Sequence, residues 1–133
     1  MRLLVVVLSF LLMSVAVAKE EAAAPAIEYL EMTPKFTVNL AEPRKFLLVN
    51  VQLLVNGTEA IESIKKHMPA LRHELVMMYS GRRSDELQTT EQREALRQET
   101  SAVIRQTLEK MEGKKTAADK GFQEAYFTEF LVD

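Results

Sequence analysis

The chain has 133 residues, 47% hydrophobic and 27% charged, which is one folded domain's worth and excludes a multidomain machine. Lysine plus arginine number 17 against 19 acids, a net charge of -2 with no basic tail, so no overall field recruits nucleic acid. The absence of cysteine excludes disulfides, thiolate metal sites, iron–sulfur clusters, a cysteine nucleophile and a lipid-modified cysteine, and two histidines supply little for metal chemistry, so no cofactor is expected.

Met1-Arg2 is a basic foot, and Leu3 to Val17 is almost wholly apolar, interrupted by Ser9 and Ser14. This run ends after about 15 residues at Lys19-Glu20-Glu21, short of the roughly 20 that cross a bilayer core. Ala16-Val17-Ala18 places small residues where a signal peptidase cuts, so residues 1–18 read as an export signal cleaved between Ala18 and Lys19, with an uncleaved signal-anchor as the alternative. Nothing later in the chain is long and apolar enough to span, so the rest is expected outside the cytoplasmic membrane, in the periplasm, either free or anchored to the outer face of the inner membrane. Residues 19–26, small, charged and Pro-containing, read as a flexible linker, and residues 27–133 as the domain. A chain of that size buries roughly 65% of its unfolded surface, enough for one core.

Ile27 to Met32 and Pro34 to Leu40 favour strands, the second placing Phe36, Val38 and Leu40 at alternate positions. After the turn Ala41-Glu42-Pro43-Arg44, the stretch Lys45 to Val55 is the clearest strand, with Leu47, Val49, Val51, Leu53 and Val55 on one side and Asn50 and Gln52 on the other. Asn56-Gly57-Thr58 formally matches a glycosylation sequon, but the need for a tight turn explains Asn-Gly, with Thr58 placed to cap a helix.

The period then becomes helical: Ile61, Ile64, Met68, Leu71, Leu75 and Met78 recur at spacings of three and four until Gly81. Pro69 predicts a kink or two short helices. Arg82 to Gln88 reads as a polar connector anchored by Leu87, and Thr89-Thr90-Glu91-Gln92 as a capping box opening a long second helix. That helix lines one side with Ala95, Leu96, Val103, Ile104, Leu108 and Met111, pairs Glu94 with Arg97 or Arg105 with Glu109, and closes at Gly113. Lys114 to Gly121 reads as a charged loop and Phe122 to Val132 as a last strand, with Phe122, Tyr126, Phe127 and Phe130 as its core residues and an edge open to another strand. The expected fold is α+β, a small antiparallel sheet with one face covered by two or three helices.

These pieces resemble the FliL family, the flagellar basal-body-associated proteins, from about Tyr29 to Val132. The resemblance is carried by Pro34-Lys35-Phe36-Thr37-Val38-Asn39-Leu40, by the strand Lys45 to Leu53, and by Met68-Pro69-Ala70-Leu71-Arg72. Leu87-Gln88-Thr89-Thr90-Glu91 leading to Leu96-Arg97, and Tyr126-Phe127-Thr128-Glu129-Phe130-Leu131-Val132, complete it in the family's order. The chain departs from the family's usual full membrane-spanning helix, and carries Gln92 and Asp133 where the family often has glycine and glutamine, which suggests a divergent or paralogous member. The resemblance implies a periplasmic domain similar to the stomatin/prohibitin (SPFH) fold, assembled into homo-oligomeric rings around the stator units of the flagellar motor near the inner membrane, supporting motility or swarming without catalysis. A periplasmic adaptor or chaperone-like module of another envelope complex is the first alternative, and a small ligand-binding domain or enzyme the second.

The residues offer little to an enzyme. His67 and His73 are six apart, about 240° around a helix, and do not share a metal. Glu20-Glu21 and Asp85-Glu86 are sequence neighbours rather than opposed carboxylates. Ser63, Ser80, Ser84 and Ser101 lack a nucleophile elbow. Contact with partners is better supplied: Val76 and Tyr79 fall partly off the main apolar stripe of the first helix and give it a second greasy edge toward a like subunit, Met68, Met77 and Met78 read as core filler ahead of a contact surface, and the adjacent pair Arg82-Arg83 reads as a solvated loop or a meeting point for an acidic partner or anionic headgroups.

Overall fold

The computed structural model describes residues 27–115 and 119–133. The expected export signal with its cleavage residues Ala16, Ala18 and Lys19, the linker 19–26, and part of the loop before the last strand lie outside the described residues. In chain order the elements are β1 (Ile27–Glu31), β2 (Phe36–Asn39), β3 (Phe46–Asn56), α1 (Thr58–Tyr79), a single 3-10 turn (Ser84–Leu87), α2 (Thr90–Glu112) and β4 (Gly121–Val132). This is the α+β arrangement that the change of hydrophobic period from two to three-and-four dictates. Among the described residues no helix is long and apolar enough to cross a membrane.

Strand β3 organises the sheet. β4 runs antiparallel along one of its edges, from Leu47 opposite Val132 to Asn56 opposite Gly121. β1 and β2 share the other edge, β1 antiparallel to Gln52–Asn56 and β2 to Phe46–Val49. The alternation read from the sequence sets the two faces: Leu47, Val49, Val51, Leu53 and Val55 are fully buried beneath the helices. The opposite face has no helix over it and exposes Tyr29, Tyr126 and Leu131.

Strand β4 does not alternate simply. Asn50 pairs with Glu129 and Val51 with Phe127, so Thr128 is an extra residue, and a second irregularity leaves Gln123 between Glu124 and Phe122. Each bulge resets the period of two, and both are needed to place Phe122, Ala125, Phe127, Phe130 and Val132 opposite the five buried positions of β3. Tyr126, expected in the core, therefore lies opposite Gln52 on the open face, its ring 6.3 Å from that of Tyr29.

Three local expectations are corrected. Helix α1 runs through Pro69 as one helix, not as two short ones. Pro69 and Lys65 are both exposed, so the carbonyl that loses its amide partner four residues earlier has water in its place. The cap of α1 is Gly57, at φ 112°, with no side-chain hydrogen bond, and Thr58 is already the first helical residue. On α2 the buried residues are Leu96, Thr100, Ser101 and Ile104, while Met111 and Ala95 are exposed, because the face turned to the sheet meets polar backbone at the edge of β4. The capping box is present as expected: Gln92 donates its amide N–H to Thr89 Oγ1 at 3.1 Å, and its side-chain oxygen accepts from Thr89 N–H at 3.0 Å. Gly113 closes the helix in the left-handed conformation.

Candidate interaction surfaces

The end of α1 is where the sequence concentrates its contact candidates, and the structure separates them. Val76 is 39% exposed and Met77 65% exposed, so this edge of the helix is greasy and open. Tyr79 is 0% exposed, which corrects its expected place on that edge. Its ring meets Phe36 edge-on at 5.7 Å and Phe127 at 6.5 Å, and its hydroxyl lies 2.8 Å from Thr100 Oγ1, so Tyr79 is the junction of both helices with the sheet. Burial pushes its phenol well above the usual tyrosine range.

The adjacent arginines are spoken for within the chain. Arg82 donates from Nε to the Met78 carbonyl at 2.9 Å and from Nη2 to Glu99 at 2.8 Å, which ties the end of α1 to α2. Arg83 grips Asp85 with two nitrogens, at 3.1 and 2.7 Å, in full contact with water. That bond raises the arginine's pKa and lowers the aspartate's. The backbone here extends the sheet: Gly81 N–H donates to the Asn39 carbonyl and Ala41 N–H to the Arg82 carbonyl, so the far edge of β2 is covered. Glu42 accepts the Ser84 amide through both oxygens, which depresses its pKa.

At the other end of the helix pair, one carboxylate oxygen of Glu112 accepts from Ser63 Oγ at 2.6 Å and meets His67 Nε2 at 2.8 Å. The Ser63 hydroxyl first, then His67, hold the Glu112 carboxyl below the usual range. His73 stands exposed, and among the described residues no group of three or more histidines and acids has metal-binding geometry. A cavity of about 1030 Å³ opens at this end, lined by Ser63, Ile64, Arg105, Glu112 and Phe122 among others.

Absent from the sequence reading is a row of side chains one turn apart on α2. Arg97 Nη1 donates to the Ala125 carbonyl at 2.9 Å, Ser101 Oγ accepts the Ala125 N–H at 2.9 Å, and Arg105 Nη2 donates to the Gln123 carbonyl at 2.9 Å. Spaced four apart, the three residues stand one above another on the helix and close the edge of β4 over Gln123–Ala125. Arg97 also pairs with Glu94, as the sequence predicts, at 2.6 Å, and with Glu124 at 2.9 Å; these bonds raise its pKa and lower that of Glu94. The one signal of this row in the sequence is a polar Ser101 in the middle of the helix's apolar face.

Beyond Arg97 a second, open groove of about 550 Å³ lies between the first turns of α2 and the end of β4, lined by Thr90, Arg93, Glu94, Arg97, Tyr126, Phe127 and Phe130. The Arg93 guanidinium stacks over the Phe130 ring at 4.7 Å and donates to the Leu87 carbonyl at 3.2 Å.

Comparison with known proteins agrees with these elements from end to end. Residues 29–132 match the family model described as the flagellar basal body-associated protein FliL. The chain is 28% identical over 104 residues to the flagellar protein FliL of Aquifex aeolicus (strain VF5), an alignment covering 77% of this chain and 59% of that relative. The chain thus spans about three-fifths of the length of the curated relative it matches. With the match running from the third residue of β1 through the last of β4, the chain belongs to the FliL family.

Proposed function

We propose that this protein is a flagellar basal-body-associated assembly protein, exported to the periplasm, that self-associates and contacts stator units of the motor to support motility or swarming. The observation that carries the reading is the family match across all seven elements of the domain. Similarity to the SPFH fold belongs to the same reading and agrees with a small antiparallel sheet under two helices.

A non-enzymatic role is supported by how the titratable groups are used. Arg82, Arg97 and Glu112 hold neighbouring elements together and Arg83 closes its own turn on Asp85, so their partners are the chain's own carboxylates, carbonyls and hydroxyls. Self-association is supported by Val76 and Met77, which present apolar surface to solvent at the end of α1. With Tyr79 buried and both arginines paired within the chain, Val76 is the expected contact residue that keeps an open surface.

Deletion of the gene, with swimming and swarming scored beside complementation by the full chain, is the test. Lost or weakened motility together with co-purification of stator proteins is the expected result. Normal motility with other envelope proteins co-purifying overturns the motor reading in favour of an adaptor. Sequencing the N-terminus of the envelope form gives the compartment: a start at Lys19 is expected, and an intact Met1 means an anchored protein.

A further inference from the structure

Each edge of this sheet that another chain could join is covered or short, with one exception. On the β2 side, Gly81 and Arg82 bond to Asn39 and Ala41. On β4, Arg97, Ser101 and Arg105 occupy the outward groups of Ala125 and Gln123. β1 is an edge of five residues.

The remaining stretch is the second half of β4. Phe46 and Asp133 exchange both of their backbone bonds, N–H to O at 2.9 and 3.1 Å. Antiparallel pairs alternate between bonded and non-bonded, so Leu131 and Glu129 also turn their amides toward β3, while Val132 and Phe130 turn theirs away from it. Beyond the bulge at Thr128, Phe127 falls in the same outward phase as Ala125. Among the described residues no side chain is bonded to the outward N–H and C=O groups of Phe127, Phe130 or Val132. This is a run of about 20 Å of strand edge with unpaired donors and acceptors.

The groove beside that edge has a floor and a charge. Phe127 and Phe130 give it apolar surface, and the first turns of α2 form the wall opposite. Arg97 is neutralised by Glu94 and Glu124, but Arg93 has no carboxylate within ion-pair distance among the described residues. The positive end of α2 lies at the same wall, since Thr90 begins the helix.

We infer that the Phe127–Val132 edge of β4 is a docking site for an extended segment of a partner protein, added as a further strand between β4 and α2, with an acidic side chain toward Arg93 and apolar side chains two residues to either side toward Phe127 and Phe130. The backbone bonds would supply affinity for any extended chain, and Arg93 would supply the choice of an acidic one. The occupant differs from a second copy of this chain in that respect: the two charged residues of β4 itself, Glu124 and Glu129, are already paired with Arg97 and Lys35. The inference rests on the edge geometry and stands whether or not the motor reading does.

The probe is a fluorescein-labelled peptide, acetyl-Thr-Val-Thr-Asp-Thr-Val-Thr-amide, titrated into the full chain held in detergent micelles, with anisotropy for affinity and amide hydrogen exchange for location. Saturable binding is expected, with exchange at Phe130 and Val132 slowed about tenfold or more while the amides of β1 are unchanged. Arg93→Glu should weaken the aspartate peptide by about tenfold and favour the analogue carrying Lys in place of Asp. Arg93→Gln, which keeps a donor for the Leu87 carbonyl, separates loss of charge from loss of fold and should weaken the aspartate peptide alone. Absence of protection at Phe130 and Val132, protection at β1 instead, or equal binding of both peptides by wild type overturns the inference. Concentration-dependent protection of these amides without peptide overturns it too, by seating a second copy there.

Discussion

The hydroxyl of Tyr79 donates to Thr100. Thr100 Oγ1 gives its own hydrogen to the Leu96 carbonyl at 2.8 Å, so in the 2.8 Å contact with Tyr79 it is the acceptor and the phenol the donor. The bond joins the last residue of α1 to the middle of α2 inside a dry core, where it cannot be exchanged for water. Tyr79→Phe should cost about 1 kcal/mol, and Thr100→Val about 1–3 kcal/mol, since it leaves the buried phenol with no acceptor. Together the two changes should cost less than their sum by about 0.5 kcal/mol or more, measured by urea unfolding of the four proteins of the cycle. Additive costs would mean that the two hydroxyls do not interact in solution.

A different residue of α2 guards the sheet. Ser101 accepts the Ala125 N–H and donates to Glu124 at 3.0 Å. Ser101→Ala should cost about 1–3 kcal/mol because Ala125 N–H is left buried without a partner. Hydrogen exchange at Ala125 should quicken, and light scattering should show more association than for wild type as the closed half of the edge opens. Exchange at Ala125 as slow as in wild type would sink this role for Ser101.

How far the sequence discloses this molecule depends on whether a residue's neighbours are local. The five alternating apolar residues of β3 and the capping box of Thr89 and Gln92 are local patterns, and both are found where the pattern puts them. A helical wheel misplaces Tyr79 because it assigns a face from one helix alone. The burial of Tyr79 comes from Phe36 and Phe127, which arrive from strands at either end of the chain. The bulges at Thr128 and Gln123 are hidden for a related reason: a run of aromatics has no period that marks an extra residue, and only pairing against β3 reveals the change of phase. The groove beside Phe130 is equally illegible, since Arg93 is drawn onto the ring by packing between two distant elements.

The capping box offers the most local of the tests. Thr89→Ala removes the acceptor of the Gln92 amide and should cost about 1 kcal/mol. Gln92 also donates through its side chain to the Asp85 carbonyl at 3.1 Å and accepts from the Gln88 amide at 2.9 Å, so it stitches the 3-10 turn to α2. Gln92→Gly should therefore cost more than Thr89→Ala, because it removes these bonds and adds about 1 kcal/mol of helix-propensity cost. Thermal melts of the two variants rank them, and a Gln92→Gly protein as stable as wild type would show that the turn holds itself in place.

Acid should loosen the opposite end of the helix pair through Glu112. Its carboxyl titrates lower in the folded protein than in the unfolded chain, chiefly because Ser63 donates to it and then because His67 lies beside it. A group with a depressed folded value binds fewer protons folded than unfolded. Its stabilising contribution is therefore complete above the unfolded value of about 4.3 and is lost as pH falls through the lower folded value. Glu112→Gln should melt below wild type at about pH 6, and the gap should close progressively below about pH 4. Ser63→Ala should narrow the acid window by removing the larger of the two causes. A gap between Glu112→Gln and wild type that stays constant down to about pH 2 would mean that shape, and not ionisation, is what Glu112 contributes between α1 and α2.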